Sequence, residues 1–205
     1  MKTNFKIIGL SACLITVVLF SKCQEKKSII SQATAGSAMH SDFNGFESQV
    51  KWGEHLVIIS GCHDCHTPKK MSAFGPVLDS ALWLSGHPAS MPPIDINRKE
   101  IESKGLAVTS DLTEWVGPWG VSYSANLTPD ATGIGTWSEE QFILCLRKGK
   151  YKGLEGSRTL LPPMPWPMVG QMTDNELKAV FAYLKTIKPI VNLVSMPKAP
   201  ESMIN

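Results

Sequence analysis

Two cysteines and a histidine are spaced for chemistry in the stretch "ISGCHDCHTPKK", residues 59–70. Cys62 and Cys65 lie three residues apart, and His66 directly follows the second cysteine. A zinc site needs four ligands, usually in two close pairs, and no second pair follows because Cys145 stands alone in its stretch. A thioredoxin-like redox pair would give no reason for His66, and no strand–helix–strand pattern surrounds it.

Covalent attachment of a haem uses all three residues. On one helical turn, positions i, i+3 and i+4 share a face. Two thiols on that face can add to the two vinyl groups of a haem, and the imidazole at the end of the turn can reach the iron. The sequence therefore predicts one haem c, bound covalently by Cys62 and Cys65 and ligated by His66, with His63 and Asp64 facing solvent.

The other axial ligand of the iron has several candidates. They are Met71, Met91, Met164, Met168, Met172, His55 and His87. Met164 differs from the others because it lies in "LLPPMPWP", where four prolines lack backbone donors and hold the chain extended. A stiff strap can hold a thioether against iron, so we predict Met164 as the second iron ligand, with Met168 next.

The beginning of the chain predicts export. Two lysines precede an uncharged, largely apolar run of fourteen residues, 7–20, which is typical of a signal peptide and short for a membrane span. The run ends near Cys23 in a pattern that resembles the lipobox of bacterial lipoproteins, although Lys22 stands where that family prefers a small residue. We expect a signal peptide over residues 1–22, a lipid on Cys23 and a flexible tether over residues 23–45.

This leader places the protein on the periplasmic side of a bacterial membrane, anchored by its lipid. A cleaved soluble protein and an uncleaved anchor are the alternatives. Cys13 fits the consensus letters better than Cys23, but cleavage there would leave most of the apolar run on the mature chain.

Charge gives no reason to expect nucleic acid as a partner. The chain has 20 basic and 18 acidic side chains, and loss of Lys2, Lys6 and Lys22 with the leader would leave 17 basic ones. A mature net charge near minus one provides no basic surface for phosphates.

Two helices are predicted before the strap. The first covers about residues 46–60 and leads into the haem turn. The second, in "WSEEQFILCLRKG", is capped by Ser138, has acidic residues in its first turn and is closed by Gly149. Cys145 lies on the apolar face of this helix, where we expect it to be inert core packing.

A third helix and a long insertion complete the domain. Thr173 and Glu176 form a capping box before a run of apolar residues at helical spacing, and Pro189 ends this last helix. The segment 68–134 is rich in Gly, Pro and Trp, which predicts a loop-rich insertion with a β-hairpin turned at Gly117-Pro118. We expect this insertion to cover the haem edge.

Three stretches resemble bacterial c-type cytochromes related to the cytochrome subunits of membrane-bound alcohol and gluconate dehydrogenases. They are "WGEHLVIISGCHDCHTPKK", "SANLTPDATGIGTWSEEQFILCLRKGKYKG" and "LLPPMPWPMVGQMTDNELKAVFAYLKTIKPI". The resemblance covers about residues 52–190. Those subunits carry several haems, whereas this sequence has one Cys-x-x-Cys-His and resembles a single module. The resemblance implies a mainly α, class I cytochrome c-like fold around one haem c over residues 46–190, with a C-terminal tail over residues 191–205.

The resemblance also implies contacts around the haem. In the family the first and last helices cross beside the haem, which places Gly53 against Phe181 or Tyr183. Pro76 lies in a Gly-Pro pair ten residues past His66 and resembles the proline whose carbonyl accepts the free ring proton of the proximal histidine. Such a bond orients the ring and increases its basicity.

Further side chains are candidates for haem contacts. Trp137 and Trp166 are expected in the haem wall, and Arg158, Asn126 and Trp119 are candidate partners of the haem propionates. Arg158 is favoured among them because a guanidinium matches a carboxylate in shape.

These expectations predict an electron carrier, not an enzyme. With His66 and Met164 both bound, no coordination position remains for oxygen, peroxide or a substrate. The carrier would connect a periplasmic or membrane dehydrogenase to an oxidase or cytochrome acceptor. Two other classes stay open: a haem enzyme or a gas or redox sensor with a labile sixth ligand, and a structural haem subunit of a larger complex. A basic docking rim for the redox partner is expected from Lys69, Lys70, Arg147, Lys148, Lys150 and Lys152.

Overall fold

The structure is a computed structural model that describes residues 43–204. The signal peptide, Cys23 and the tether as far as residue 42 lie outside the described residues. Within that range the chain forms six α-helices and two two-stranded antiparallel sheets. The helices are α1 (Gln49–Ile59), α2 (Cys62–His66), α3 (Arg98–Ser103), α4 (Glu139–Lys148), α5 (Trp166–Val169) and α6 (Asp174–Leu184). The strands are β1 (Lys69–Ser72), β2 (Gly75–Leu78), β3 (Glu114–Gly117) and β4 (Gly120–Tyr123).

The helix ends follow the capping residues in the sequence. The predicted capping box of Thr173 and Glu176 starts α6 and is confirmed. A second capping box, with Ser138 as the cap, starts α4, and Gly149 in a left-handed conformation closes that helix as predicted. The hydroxyl of Ser48 accepts a hydrogen bond from the backbone N–H of Lys51 and so begins α1.

Helices α1 and α6 pack together at a glycine. A Cβ built on Gly53 would lie 1.8 Å from the carbonyl oxygen of Ala179 and 2.9 Å from Cβ of Tyr183. The two backbones therefore touch at Gly53, which confirms the predicted contact with Tyr183. The backbone of Ala179, which the prediction did not include, lies closer still.

The core lies between α1, α4 and α6. It is formed by Trp52, Leu56, Val57, Leu84, Ile134, Phe142, Leu146, Val169, Leu177, Ala179, Val180, Phe181, Tyr183 and Leu184, here called the core cluster. The rings of Phe142 and Phe181 meet at 5.1 Å between centroids and join α4 to α6. Cys145 on α4 is also buried, as expected for a packing residue.

The insertion contains two hairpins. Strands β3 and β4 are joined by Pro118 and Trp119, so the hairpin predicted at Gly117-Pro118 is present. Strands β1 and β2 form another hairpin directly after the haem motif, which the sequence did not predict. Its side chains are largely exposed, and Phe74 at its tip is fully exposed.

The end of the chain is hydrogen-bonded to the insertion. Val121 in β4 and Lys198 exchange backbone hydrogen bonds of 2.9 and 3.0 Å, so the tail extends the edge of that hairpin. The backbone N–H of Glu201 donates to Glu102 in α3 at 2.7 Å. The described part of the predicted tail, residues 191–204, is thus attached to the domain. Across residues 43–204, none of the helices is both long and apolar enough to cross a membrane.

Candidate haem site

The Cys-x-x-Cys-His motif forms its own helical turn. Gly61 takes a left-handed conformation (φ 65°) after α1, which redirects the chain into α2. The ammonium group of Lys69 folds back over this turn and donates to the backbone carbonyls of Asp64 and Thr67. Lys69 was expected in the docking rim, but here it caps the carbonyl end of the haem turn.

Cys62 and Cys65 are both free thiols, half-buried on α2. Burial raises the pKa of Cys62 to about 11 and also raises the pKa of Cys65. A redox-active cysteine pair requires a lowered pKa, because the thiolate is the reacting form. The surroundings of these two thiols therefore disfavour a thioredoxin-like pair and suit neutral thiols held on one turn.

The imidazole of His66 is held by the insertion. Its Nδ1–H donates to the backbone carbonyl of Ala125 at 2.8 Å, across 59 residues of sequence. This bond fixes the tautomer and leaves Nε2 as the nitrogen that can bind a metal. Burial lowers the pKa of His66, which favours the neutral ring that metal ligation needs. Together with the two thiols on the same turn, this arrangement fits a covalently bound haem.

The prediction that Pro76 accepts this hydrogen bond is wrong. Pro76 lies in strand β2, paired in register with Met71, and its side chain is exposed. The hairpin carries Pro76 outward, and the acceptor position beside His66 is taken by Ala125 instead. No side-chain pattern marks a backbone acceptor, so this acceptor could not be predicted directly from the sequence.

Two segments, residues 84–87 and 124–127, clasp the haem turn from the side of His66, and we call them the proximal clamp. The backbone N–H of Gly86 donates to the carbonyl of His66 at 2.8 Å, and that of Leu84 donates to the hydroxyl of Thr67 at 3.0 Å. The two segments are joined to each other because Leu127 N–H donates to the Leu84 carbonyl at 2.9 Å. The signal available in the sequence was Gly86, where a Cβ would lie 2.6 Å from the backbone of Ala125.

His63 does not face solvent, contrary to the prediction. Its ring stacks on Trp83 at 5.4 Å between centroids, and its Nδ1 is buried with no hydrogen-bond partner in the described structure. Trp83 in turn donates its indole N–H to the hydroxyl of Tyr183 at 3.2 Å. Because its imidazole stacks on Trp83, His63 lies against the protein. Asp64 is exposed, as predicted.

The proline-rich strap brings Met164 to the core. Met164, Met172 and Cys62 all pack against the core cluster, whereas Met168 is 62% exposed. The prediction that the whole strap is extended is wrong at its end, because Trp166 and Pro167 begin helix α5. Proline is compatible with the first turn of a helix, where its missing N–H has no intrahelical partner.

Arg147 binds the segment that follows the strap and helix α5. Its guanidinium donates to the backbone carbonyls of Gly170 and Met172 and pairs with the carboxylate of Asp174. Arg147 therefore contributes to the internal structure and not to the expected docking rim. The ammonium group of Lys70, another expected member, lies 3.5 Å from the carboxylate of Asp79.

Two of the three expected propionate partners use their donors within the protein. Asn126 is buried, and its amide donates to the Ile190 carbonyl at 2.8 Å, so it is not a propionate partner. The indole N–H of Trp119 donates to the hydroxyl of Ser122 at 3.0 Å, which also removes Trp119. In both residues the donor is used inside the protein.

Arg158, Trp137 and Trp166 stay predictions. Arg158 is exposed, and its guanidinium lies 4.1 Å from the centre of the Tyr151 ring. Trp137 is half-buried against the core cluster. The indole of Trp166 covers Gly149 so closely that a Cβ there would lie 2.5 Å from the ring.

Comparison with known proteins finds cytochrome subunits of several dehydrogenases among the relatives of this chain. No protein-family model matches the chain. It is 30% identical over 146 residues to the cytochrome c subunit of alcohol dehydrogenase (quinone) from Gluconobacter oxydans strain 621H, covering 70% of this chain and 23% of that protein. It is 28% identical over 183 residues to the fructose dehydrogenase cytochrome subunit of Gluconobacter japonicus, covering 88% of this chain and 29% of that protein. It is 29% identical over 151 residues to the gluconate 2-dehydrogenase cytochrome c subunit of Pantoea cypripedii, covering 73% of this chain and 26% of that protein.

The chain spans about a quarter of the length of these relatives. Most of each relative therefore has no counterpart in it. The similarity supports a cytochrome-like fold and an electron-transfer haem protein. The resemblance predicted from the sequence is confirmed: the chain is similar to the cytochrome c subunits of these dehydrogenases.

Proposed function

We propose that the protein is a mono-haem c-type cytochrome that carries single electrons from a periplasmic or membrane dehydrogenase towards the respiratory chain. The observation that carries the proposal is the hydrogen bond from His66 to Ala125, with Cys62 and Cys65 on the same helical turn as His66. The similarity to dehydrogenase cytochrome subunits supports it independently. A bound haem would supply one-electron exchange between ferric and ferrous iron.

The residues of the chain have separate tasks in this proposal. Cys62 and Cys65 would hold the haem covalently, and His66 would ligate the iron through Nε2. The Ala125 carbonyl keeps the His66 ring in one orientation, and Lys69 stabilises the end of the turn that carries it. Met164 would provide a second protein ligand for the iron from the strap, and with both ligands bound the iron would be closed to a substrate.

The partner and the location are also proposals. The relatives are named as subunits of alcohol, fructose and gluconate dehydrogenases, so the electron donor is proposed to be a dehydrogenase, and the acceptor an oxidase or another cytochrome. The chain itself would not be an enzyme.

A lipid on Cys23 would hold it on the periplasmic side of the membrane. Labelled palmitate should enter the wild type and not the Cys23→Ser variant, and an unlabelled wild type would reject the anchor.

The attachment is tested on denatured protein. Haem should remain with the polypeptide through denaturing electrophoresis, and the double variant Cys62→Ala with Cys65→Ala should lose it. Cys145→Ala is the matched control, because Cys145 is a buried thiol outside the motif and should retain the haem. Haem that acid-acetone extracts from the wild type would reject covalent attachment.

The sixth ligand is tested by spectroscopy. Met164→Ala should abolish the weak near-infrared absorption of ferric sulfur-to-iron coordination, lower the reduction potential and allow carbon monoxide to bind the ferrous form. Met168→Ala is the control and should keep the wild-type spectrum. A wild type that binds carbon monoxide readily would favour the haem enzyme or sensor over the carrier.

A further inference from the structure

We propose that Asn192 is a positioning residue for the proximal histidine, acting through the proximal clamp to hold the Ala125 carbonyl against the His66 ring. The inference rests on the proposed function, since His66 is treated as the iron ligand. It assigns a role to the C-terminal tail, for which the sequence predicted none.

The side chain of Asn192 uses both ends of its amide. Its nitrogen donates to the carbonyls of Ser85 and His87 at 2.7 and 2.9 Å, and its oxygen accepts from the backbone N–H of Ala89 at 3.0 Å. The neighbouring side chains of Val191 and Leu193 are 81% and 74% exposed. Asn192 is therefore turned inward from an otherwise exposed stretch, and it binds one loop at three points.

The loop that Asn192 binds, residues 85–89, makes two hydrogen bonds that help to position His66. Gly86, between the two residues whose carbonyls Asn192 binds, donates its N–H to the His66 carbonyl at 2.8 Å. His87 donates its backbone N–H to the carbonyl of Ser124 at 2.9 Å, one residue before Ala125. The loop thus fixes the backbone of His66 and also the segment whose carbonyl accepts the ring proton.

The backbone of Asn192 braces the segment that follows Ala125. Its N–H donates to the hydroxyl of Thr132 at 2.9 Å, and the same hydroxyl accepts from the amide of Asn126 at 3.2 Å. Asn126 also donates to the carbonyl of Ile190 at 2.8 Å. Ala125 therefore lies between two anchors, Ser124 and Asn126, that are both connected to the tail.

An amide is the group that this position requires. It must offer two N–H donors to carbonyls and one oxygen to a backbone N–H, which a carboxylate cannot do. An aspartate at 192 would place negative charge against the carbonyls of Ser85 and His87. A looser Ala125 carbonyl would weaken the bond to His66, make the imidazole less basic and stabilise ferric iron less.

The test compares four single variants of the haem-loaded protein. Asn192→Ala and Asn192→Asp should make the reduction potential more positive and speed exchange of the His66 ring N–H, followed by NMR, by about tenfold, as for the loss of one hydrogen bond. Asn97→Ala removes an asparagine cap from α3, where Asn97 accepts from the Glu100 N–H at 3.2 Å, and so controls for general loss of stability. Val191→Ala controls for substitution in the tail. Both controls should keep the wild-type potential and ring exchange.

The outcomes separate the two proposals. If the wild type binds haem covalently and both Asn192 variants keep its potential and its ring exchange, the positioning role is rejected and the electron carrier stands. The role is also rejected if Asn97→Ala shifts both readouts as much as Asn192→Ala does. If the wild type carries no covalent haem, the proposed function fails before the variants are compared.

Discussion

Cys145 has a different role from Cys62 and Cys65 although all three thiols are shielded from water. Burial raises the pKa of Cys145 to about 11, and its side chain packs on α4 at 7% exposure. Cys62 and Cys65 differ from it by sharing one helical turn with His66. Position on the turn, and not burial, therefore distinguishes the two thiols proposed to bind haem from a packing thiol.

We expect the thiol of Cys145 to be unreactive in the folded protein. At pH 8 the folded thiol is protonated, because its pKa of about 11 lies above the ordinary value of 9.0. A maleimide should modify Cys145 only after denaturation, as checked by mass spectrometry of the digested chain. Rapid labelling of native protein at this position would contradict the buried environment.

The raised pKa of Cys145 also makes the stability of the fold depend on pH. A thiol whose pKa is raised on folding contributes stability below its unfolded pKa and loses that contribution as pH rises through the folded value. The free energy of unfolding should fall between pH 9 and pH 11 through this group. Cys145→Ala should show a smaller fall over that interval than the wild type.

At the scale of elements, the strap depends on α4. Arg147 comes from the last turn of α4 and binds carbonyls on both sides of Gln171, just before α6 begins. The planar guanidinium can make these bonds and the pair with Asp174 at the same time, which a lysine cannot do. Prolines thus flank Met164 itself, and this arginine holds the segment that follows it in the chain.

Arg147→Ala should loosen the strap. We expect a smaller fraction of molecules with the near-infrared sulfur-to-iron band, together with partial carbon monoxide binding. Arg147→Lys should recover only part of the effect, because one ammonium group replaces a fork of donors. Lys148→Ala removes the exposed neighbouring charge and serves as the control. An unchanged spectrum in Arg147→Ala would show that the prolines alone hold Met164.

The elements differ in how well the sequence predicts them. Helices α4 and α6 were predictable because Ser138, Gly149 and Thr173 act within a few residues of the ends that they define. The haem turn was predictable because Cys62, Cys65 and His66 also lie within a few residues of one another. The acceptor for His66 was not, since Ala125 is a backbone group 59 residues away and its position depends on the packed insertion. Pro76 was chosen on the resemblance, but the hairpin that contains it turns outward.

At the scale of the whole molecule, the framework depends on the contact between α1 and α6. Gly53 lets α1 approach the backbone of Ala179, and the core cluster is continuous across this contact. The haem turn follows α1 almost directly, so the angle between the two helices also sets where the thiols lie. A change at Gly53 should therefore affect both stability and haem binding.

Gly53→Ala should lower the free energy of unfolding by about 1–3 kcal/mol, the cost of overpacking a close contact. Denaturant titration measures this change. Gly156→Ala is the matched control, because a Cβ built on Gly156 meets nothing within 4 Å. It should change stability by less than about 0.5 kcal/mol. Equal effects of the two substitutions would show that the helices separate at little cost.

The connection from the tail to the haem turn has a consequence for the order of events during biosynthesis. A chain leaves the ribosome and crosses a membrane from its N-terminal end, so Cys62, Cys65 and His66 emerge long before Ala125 and before Asn192. Until those later residues arrive, the bonds from His66 to Ala125 and from Asn192 to the proximal clamp cannot form. If haem is attached as proposed, the motif would stay accessible on the nascent chain to whatever attaches it, and completion of the C-terminal segment would restrict this access. We expect a chain stopped before Asn192 to acquire haem covalently, yet to leave His66 more open to solvent than in the full-length protein.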